Sequence, residues 1–110
     1  MSNGHRTRLL GFSINRDASG VSVSVEGELD LVSAREFEDE IRAVLDGDPP
    51  KKLVLHLEAL HFIDSTGLRV LWSIRQHAQD VSCRLVLRSP SDAVVRLLKL
   101  TGMHRVFSVE

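Results

Sequence analysis

The chain is poor in the features that mark several large classes of protein. It has one cysteine, Cys83, so no internal disulfide can form. Cys83 sits in an apolar strand pattern and is expected to fill core space rather than to sense redox state. No run approaches the roughly 18 apolar residues that a membrane span requires. The polar opening Met1-Ser2-Asn3-Gly4-His5-Arg6 is not followed by an apolar stretch long enough for a signal peptide. Neither sign of charge dominates: the formal net charge is -1 and the basic residues are scattered, which argues against the clustered basic face of a nucleic-acid binder. There is no Walker loop and no dinucleotide fingerprint. His56 and His61 are not at helical spacing and no Cys/His cluster accompanies them, so neither metal nor cofactor is expected. Together these absences predict a soluble cytoplasmic protein without a membrane or nucleic-acid partner.

What is present suits one small domain. A chain of 110 residues that is 43% hydrophobic can bury one modest core. Residues 1–8 read as a flexible leader and 9–110 as the folded unit. A first strand is expected from Leu9 to Ile14, then a turn made by Asn15, Asp17, Ser19 and Gly20. Val21, Val23 and Val25 alternate with Ser22, Ser24 and Glu26, which is the pattern of a half-buried strand that forms a hairpin with the first. Ser33-Ala34-Arg35-Glu36 matches a capping box, and Ala34, Phe37, Ile41, Val44 and Leu45 place one helical face inward. Gly47 and Pro49-Pro50 stop that helix. Leu53-Val54-Leu55-His56-Leu57 is nearly continuous, as in a central parallel strand covered on both faces, with His56 read as a satisfied core or edge histidine.

A second helix is expected from about Thr66 to Gln79, its apolar set Leu68, Val70, Leu71, Trp72, Ile74 and Ala78 wrapping more than one stripe. Trp72 is assigned to the core, with a contact surface as the alternative. Cys83 to Leu87 forms a further strand. Ser89-Pro90-Ser91-Asp92 opens a third helix with Pro90 at its first position, Gly102 ends it, and Val106-Phe107 offers a short last strand. The order β-β-α-β-α-β-α-β predicts an α/β fold: a mixed sheet of four to five strands with helices mainly on one face.

The stretch Phe62-Ile63-Asp64-Ser65-Thr66-Gly67-Leu68 carries the most chemistry. It lies where a strand gives way to an apolar helix, beyond the carboxyl end of a central strand, where open α/β sheets commonly bind. Ser65 is placed as N-cap, and a helix N-terminus also favours a phosphate there, so the residue is both a cap and a plausible phospho-acceptor. Spacing alone does not choose. Gly67, lacking a Cβ, would let a partner approach closely. Asp30 directly follows its own strand and is expected on the same rim. Hydrolysis fares badly: a nucleophile elbow needs Gly-x-Ser-x-Gly, and Ile63 stands at the first of those positions. Nothing local orients His61 as a base to Ser65. The carboxylates Asp30 and Asp64 could share a proton, but no substrate cleft is implied. No enzyme is predicted.

The segments Gly27-Glu28-Leu29-Asp30, Leu57-Glu58-Ala59-Leu60-His61-Phe62-Ile63-Asp64-Ser65-Thr66-Gly67-Leu68 and, more weakly, Leu97-Leu98-Lys99-Leu100-Thr101-Gly102-Met103 resemble the STAS-domain anti-sigma factor antagonists of bacteria, in order and separation along nearly the whole chain. The resemblance implies a STAS domain over residues 9–110. It implies a partner that is an anti-sigma factor with serine-kinase activity, phosphorylation of Ser65 rather than Thr66, and a serine phosphatase that resets the switch. It further implies a docking surface drawn from Glu28, Asp30, Asp64, Thr66, Gly67 and Arg69. The family usually has a glycine where this chain has Arg69, which bears on the choice of partner. STAS domains also serve as non-switching scaffolds or small-ligand modules of larger complexes, including lipid-transport systems, and that is the alternative.

Overall fold

The computed structural model describes residues 10–110, so the expected leader lies outside the described residues. Strands β1 (Leu10–Asp17) and β2 (Gly20–Leu29) are followed by helix α1 (Ala34–Asp46), strand β3 (Lys52–Ile63), helix α2 (Ser65–Asp80), strand β4 (Arg84–Arg88), helix α3 (Asp92–Thr101), a short 3-10 turn and strand β5 (Ser108–Val109). The five strands pair in sequence order; β1 is antiparallel to β2 and all other pairs are parallel. The hairpin is tighter than expected. Asn15 pairs with Ser22 within the ladder, leaving Ala18 and Ser19 as the loop. Asp17 closes that loop by accepting the amide and the hydroxyl of Ser19 at 2.8 and 2.6 Å.

The core lies between the sheet and the helices. Val21, Val23, Val25 and Leu29 of β2 meet Leu53, Leu55, Leu57 and Leu60 of β3, Leu85 and Leu87 of β4, and the buried faces of all three helices in one cluster. Each fully buried Leu or Phe stabilises the domain by about 1.5–3 kcal/mol relative to exposure. Phe12 meets Phe37 of α1 edge to face, ring centres 5.3 Å apart. Cys83 is buried in this cluster, and burial pushes its thiol up, as suits core filler. Val54 points to the other side of the sheet, where it shares a shallow groove with Ser22, Lys52, half-buried His56 and Arg88. The apolar run of β3 is therefore helix-covered on one face and not on both.

Three further expectations give way. Trp72 is not in the core: it is 37% exposed, with the Arg75 guanidinium 5.7 Å from the ring centre. Five other apolar positions of α2 already occupy the inward arc, so the bulky ring is left outside. Pro90 precedes α3 rather than opening it, because Ser91 is the N-cap; its oxygen accepts from the Val94 amide while its hydroxyl donates to the Leu60 carbonyl. The last strand is displaced to Ser108–Val109, since Phe107 turns into the core. Gly102 ends α3 as expected, in the left-handed conformation with φ of 76°. No described helix is long and apolar enough to cross a membrane.

Candidate functional site

Strand β3 runs well past Leu57. Between Ser24 and Glu26 of β2 the partner on β3 jumps from His56 to Ala59, and between Gly27 and Glu28 it jumps from Leu60 to Phe62. Each jump is a bulge with one extra residue on β3. The bulges keep Leu57, Leu60 and Ile63 facing inward at a spacing of three. They also bring β3 to its end opposite the end of β2, where Leu29 pairs with Ile63. Asp30 and Asp64 follow these paired residues directly, so the two loops lie side by side on one rim.

At this rim the chain builds two turns, each held by an aspartate. Asp64 is the N-cap of α2: its backbone is extended and Oδ1 accepts the Gly67 amide at 3.0 Å. Ser65 is thus the first helical residue and not the cap, because the longer carboxylate one residue earlier reaches the orphan amide. The Ser65 side chain is exposed, and its hydroxyl has no hydrogen-bond partner among the described residues.

The second turn corrects the expected capping box. Ser33 makes no side-chain cap to α1. Instead Asp30 Oδ1 accepts the amides of Val32 and Ser33 at 3.0 and 3.2 Å, and the Ser33 hydroxyl donates to the Glu28 carbonyl at 2.9 Å while accepting the Asp30 amide at 3.1 Å. Asp30 is 3% exposed, and its Oδ1 is held within this loop. That loop holds Leu31 and Val32 outward, 76% and 71% exposed. Sequence reasoning did not single out these two residues. Two adjacent apolar side chains directly after the Gly27-Glu28-Leu29-Asp30 segment were the available signal.

Gly67 is buried. A Cβ there would stand 2.6 Å from the Leu29 carbonyl oxygen and 2.8 Å from Ile63 Cγ1. The close approach that this glycine permits is made from within, by the end of β2 against the first turn of α2. The Asp64 amide, directed at the Leu29 oxygen at 3.4 Å, joins the same contact. Glu28 is half-buried, opposite Phe62 in the ladder.

Between α1 and α2 runs a groove of about 420 Å³ that opens beside the rim. Thr66 and Arg69 line it from α2, and Leu31, Arg35, Glu38 and Arg42 from the other side. Ser73 ties the two helices together. Its hydroxyl donates to Glu38 Oε2 at 2.6 Å and accepts from Arg42 Nη2 at 2.9 Å. Glu38 is held below the usual carboxylate range, first by the Ser73 hydroxyl and then by Arg42, with the Arg69 charge adding across the groove against the opposing effect of partial burial. At the far end of the helix pair His77 Nε2 meets Asp46 Oδ1. Around the helix axis, Ser65, Arg69, Trp72 and Gln76 fall at intervals of four, three and four, which is the outward stripe of α2, and all four are exposed.

An exposed hydroxyl on a rigid helix start, an apolar loop tip and a charged groove form a surface suited to another macromolecule. Comparison with known proteins points the same way. The STAS domain profile matches residues 13–110. The anti-sigma-F factor antagonist RsfB of Mycobacterium tuberculosis is 36% identical over 95 residues, spanning 84% of this chain and 77% of that protein. The anti-sigma-B factor antagonist of Staphylococcus aureus is 29% identical over 87 residues, spanning 79% of this chain and 80% of that protein. Among solved structures, an anti-sigma factor antagonist from Mycobacterium paratuberculosis superposes with a TM-score of 0.78 at 30% identity, covering 93% of this chain and 86% of the other. The unphosphorylated form of SpoIIAA matches at a TM-score of 0.75 and 20% identity, covering 91% of this chain and 88% of the other, a likeness of fold alone. With a family match over nearly the whole chain and an α/β architecture shared with these structures, the chain belongs to the STAS domain family.

Proposed function

We propose that this chain is an anti-sigma factor antagonist switched by phosphorylation at Ser65. In this reading the unmodified protein docks onto an anti-sigma factor that is also a serine kinase, and docking displaces the sigma factor. The kinase moves the γ-phosphoryl group of ATP to Ser65 Oγ, the hydroxyl proton is lost, and ADP leaves. The modified form then dissociates until a serine phosphatase hydrolyses the ester. ATP and its Mg²⁺ belong to the kinase; this chain contributes the acceptor. The observation that carries the reading is the exposed Ser65 hydroxyl at the first position of α2, beside the outward-facing Leu31 and Val32. The names of the relatives support its antagonist part.

The roles divide by what each side chain touches. Leu31, Val32, Thr66 and Arg69 form the docking rim. Asp30, with Ser33 and the Glu28 carbonyl, holds the loop that presents Leu31 and Val32. Asp64 and Gly67 fix where α2 starts and therefore where Ser65 projects. Phosphorylation adds about -1.5 to -2 charges at neutral pH. The new group lies at the positive end of α2, so the fold itself tolerates it. The partner surface, shaped for a neutral hydroxyl, has to desolvate an unmatched anion. A loss of about 3 kcal/mol already weakens binding more than a hundredfold.

Binding to the cognate anti-sigma factor with and without ATP, followed by intact-mass measurement, tests the reading. Ser65→Ala is expected to bind as the parent does and to be insensitive to ATP, and Ser65→Asp to bind at least tenfold more weakly. Absence of a phosphoryl adduct at Ser65 under every growth condition would favour a non-switching scaffold instead.

A further inference from the structure

Arg69 stands four residues after Ser65 on the exposed stripe of α2. Residues at this spacing have Cβ atoms roughly 5–6 Å apart. Long side chains on a helix lean toward its N-terminus, so the guanidinium of Arg69 can reach the turn that Ser65 begins. Its charge acts on Glu38 across the groove, but only at longer range. Across the groove Glu38 already takes the Ser73 hydroxyl and Arg42 Nε. Among the described residues no hydrogen bond and no ion pair within 4.0 Å holds Arg69 itself. Arg35 and Arg42 line the same groove together with the carboxylates Glu38 and Asp39, and Arg42 is already paired with Glu38.

We propose that Arg69 is the intramolecular partner of the phosphate on phospho-Ser65, and that it sets how strongly modification changes the docking surface. This rests on the reading of Ser65 as acceptor. A phosphate paired with Arg69 presents less net charge to the partner than one standing beside a glycine. Its second ionisation is easier, and the phosphatase has to separate the ester from a guanidinium before hydrolysing it. Arg69 is thus a positioning residue of the switch: with it, release on phosphorylation is graded; with glycine at this position, release is sharper.

The test installs phosphoserine at position 65 during translation, so that no kinase is needed. Titration is followed by phosphorus NMR for the parent, Arg69→Lys, Arg69→Gln and Arg69→Gly. The second ionisation of phosphoserine, ordinarily near pH 6, is expected about 0.3–0.5 pH units lower in the parent than in Arg69→Gln, in keeping with an exposed ion pair. Arg69→Lys should keep part of the shift, and 1 M salt should erase most of it. Gln is a good helix former, so that variant keeps α2 intact. The ratio of partner affinity between unmodified and phosphorylated protein should rise from parent to Arg69→Gly, a ratio that cancels any direct contact Arg69 makes in the docking rim. Equal midpoints in parent and Arg69→Gln would overturn the pairing while leaving Ser65 as acceptor untouched. A kinase that never modifies Ser65 would overturn the acceptor reading instead, and the titration would still report on Arg69.

Discussion

At the scale of the residue, two small features decide where Ser65 sits. The carboxylate of Asp64 satisfies the Gly67 amide, and a cap of this kind is worth about 1 kcal/mol. Asp64→Ala should lower the unfolding free energy by that amount in a urea titration, while Asp64→Asn should stay near the parent because asparagine caps as well. Gly67→Ala drives a methyl group onto a backbone carbonyl 2.6 Å away. Neither strand nor helix can yield easily there, so a loss of about 1–3 kcal/mol is expected. The folded state also prefers Glu38 ionised, chiefly through the Ser73 hydroxyl. The resulting contribution is present above the unfolded value near 4.3 and is lost as pH falls through the lower folded value. Glu38→Gln should therefore cost about 1 kcal/mol at neutral pH, and the gap should close on acidification below about pH 4. A gap independent of pH would rule out the charge as its source.

Elements show why part of the site could be read in advance and part could not. Helix α2 announced itself through its apolar spacing, and its start came out within one residue of expectation. The far half of β3 did not. Leu57, Leu60 and Ile63 recur every three residues, which is no strand period, because two bulges each insert a residue. Only pairing with β2 makes that pattern a strand. Trp72 failed for a related reason: the apolar set of α2 says that much of the helix is buried, but not which arc faces outward once five other side chains have taken the interior. Its exposure places an aromatic residue on the same stripe as Ser65 and Arg69. Trp72→Ala should weaken partner binding by about tenfold or more, as aromatic anchors do, while shifting stability little. Trp72 is the single tryptophan in a chain without tyrosine, so its fluorescence should report docking directly. An unchanged emission spectrum and an unchanged affinity would remove α2 beyond Arg69 from the interface.

For the molecule as a whole, the sheet carries its helices on one face and ends its parallel strands at one rim. At that rim Ser65 is exposed, whereas Gly67, two residues on, is buried against Leu29 and Ile63. A charge placed at position 65 should therefore alter binding without loosening the domain. Ser65→Asp is expected to melt within about 2 °C of the parent, where a loss of 1 kcal/mol would move a domain of this size by about 4–8 °C. A large drop in melting temperature would overturn the proposal that a charge at position 65 acts through local electrostatics alone.

The order of strands and helices, the one-sided helical layer and the serine at the head of α2 followed from apolar periodicity, turn residues and motif spacing, because those signals are local and each element carries its own. The cap on α2 is a contact three residues long, but why Gly67 has to be a glycine and how the loops after Leu29 and Ile63 come to share one rim were settled only when β2 and β3 met. These depend on contacts between segments more than thirty residues apart, on a carbonyl of one strand pressing against the first turn of a helix begun by another, and such distances leave no trace in either segment alone.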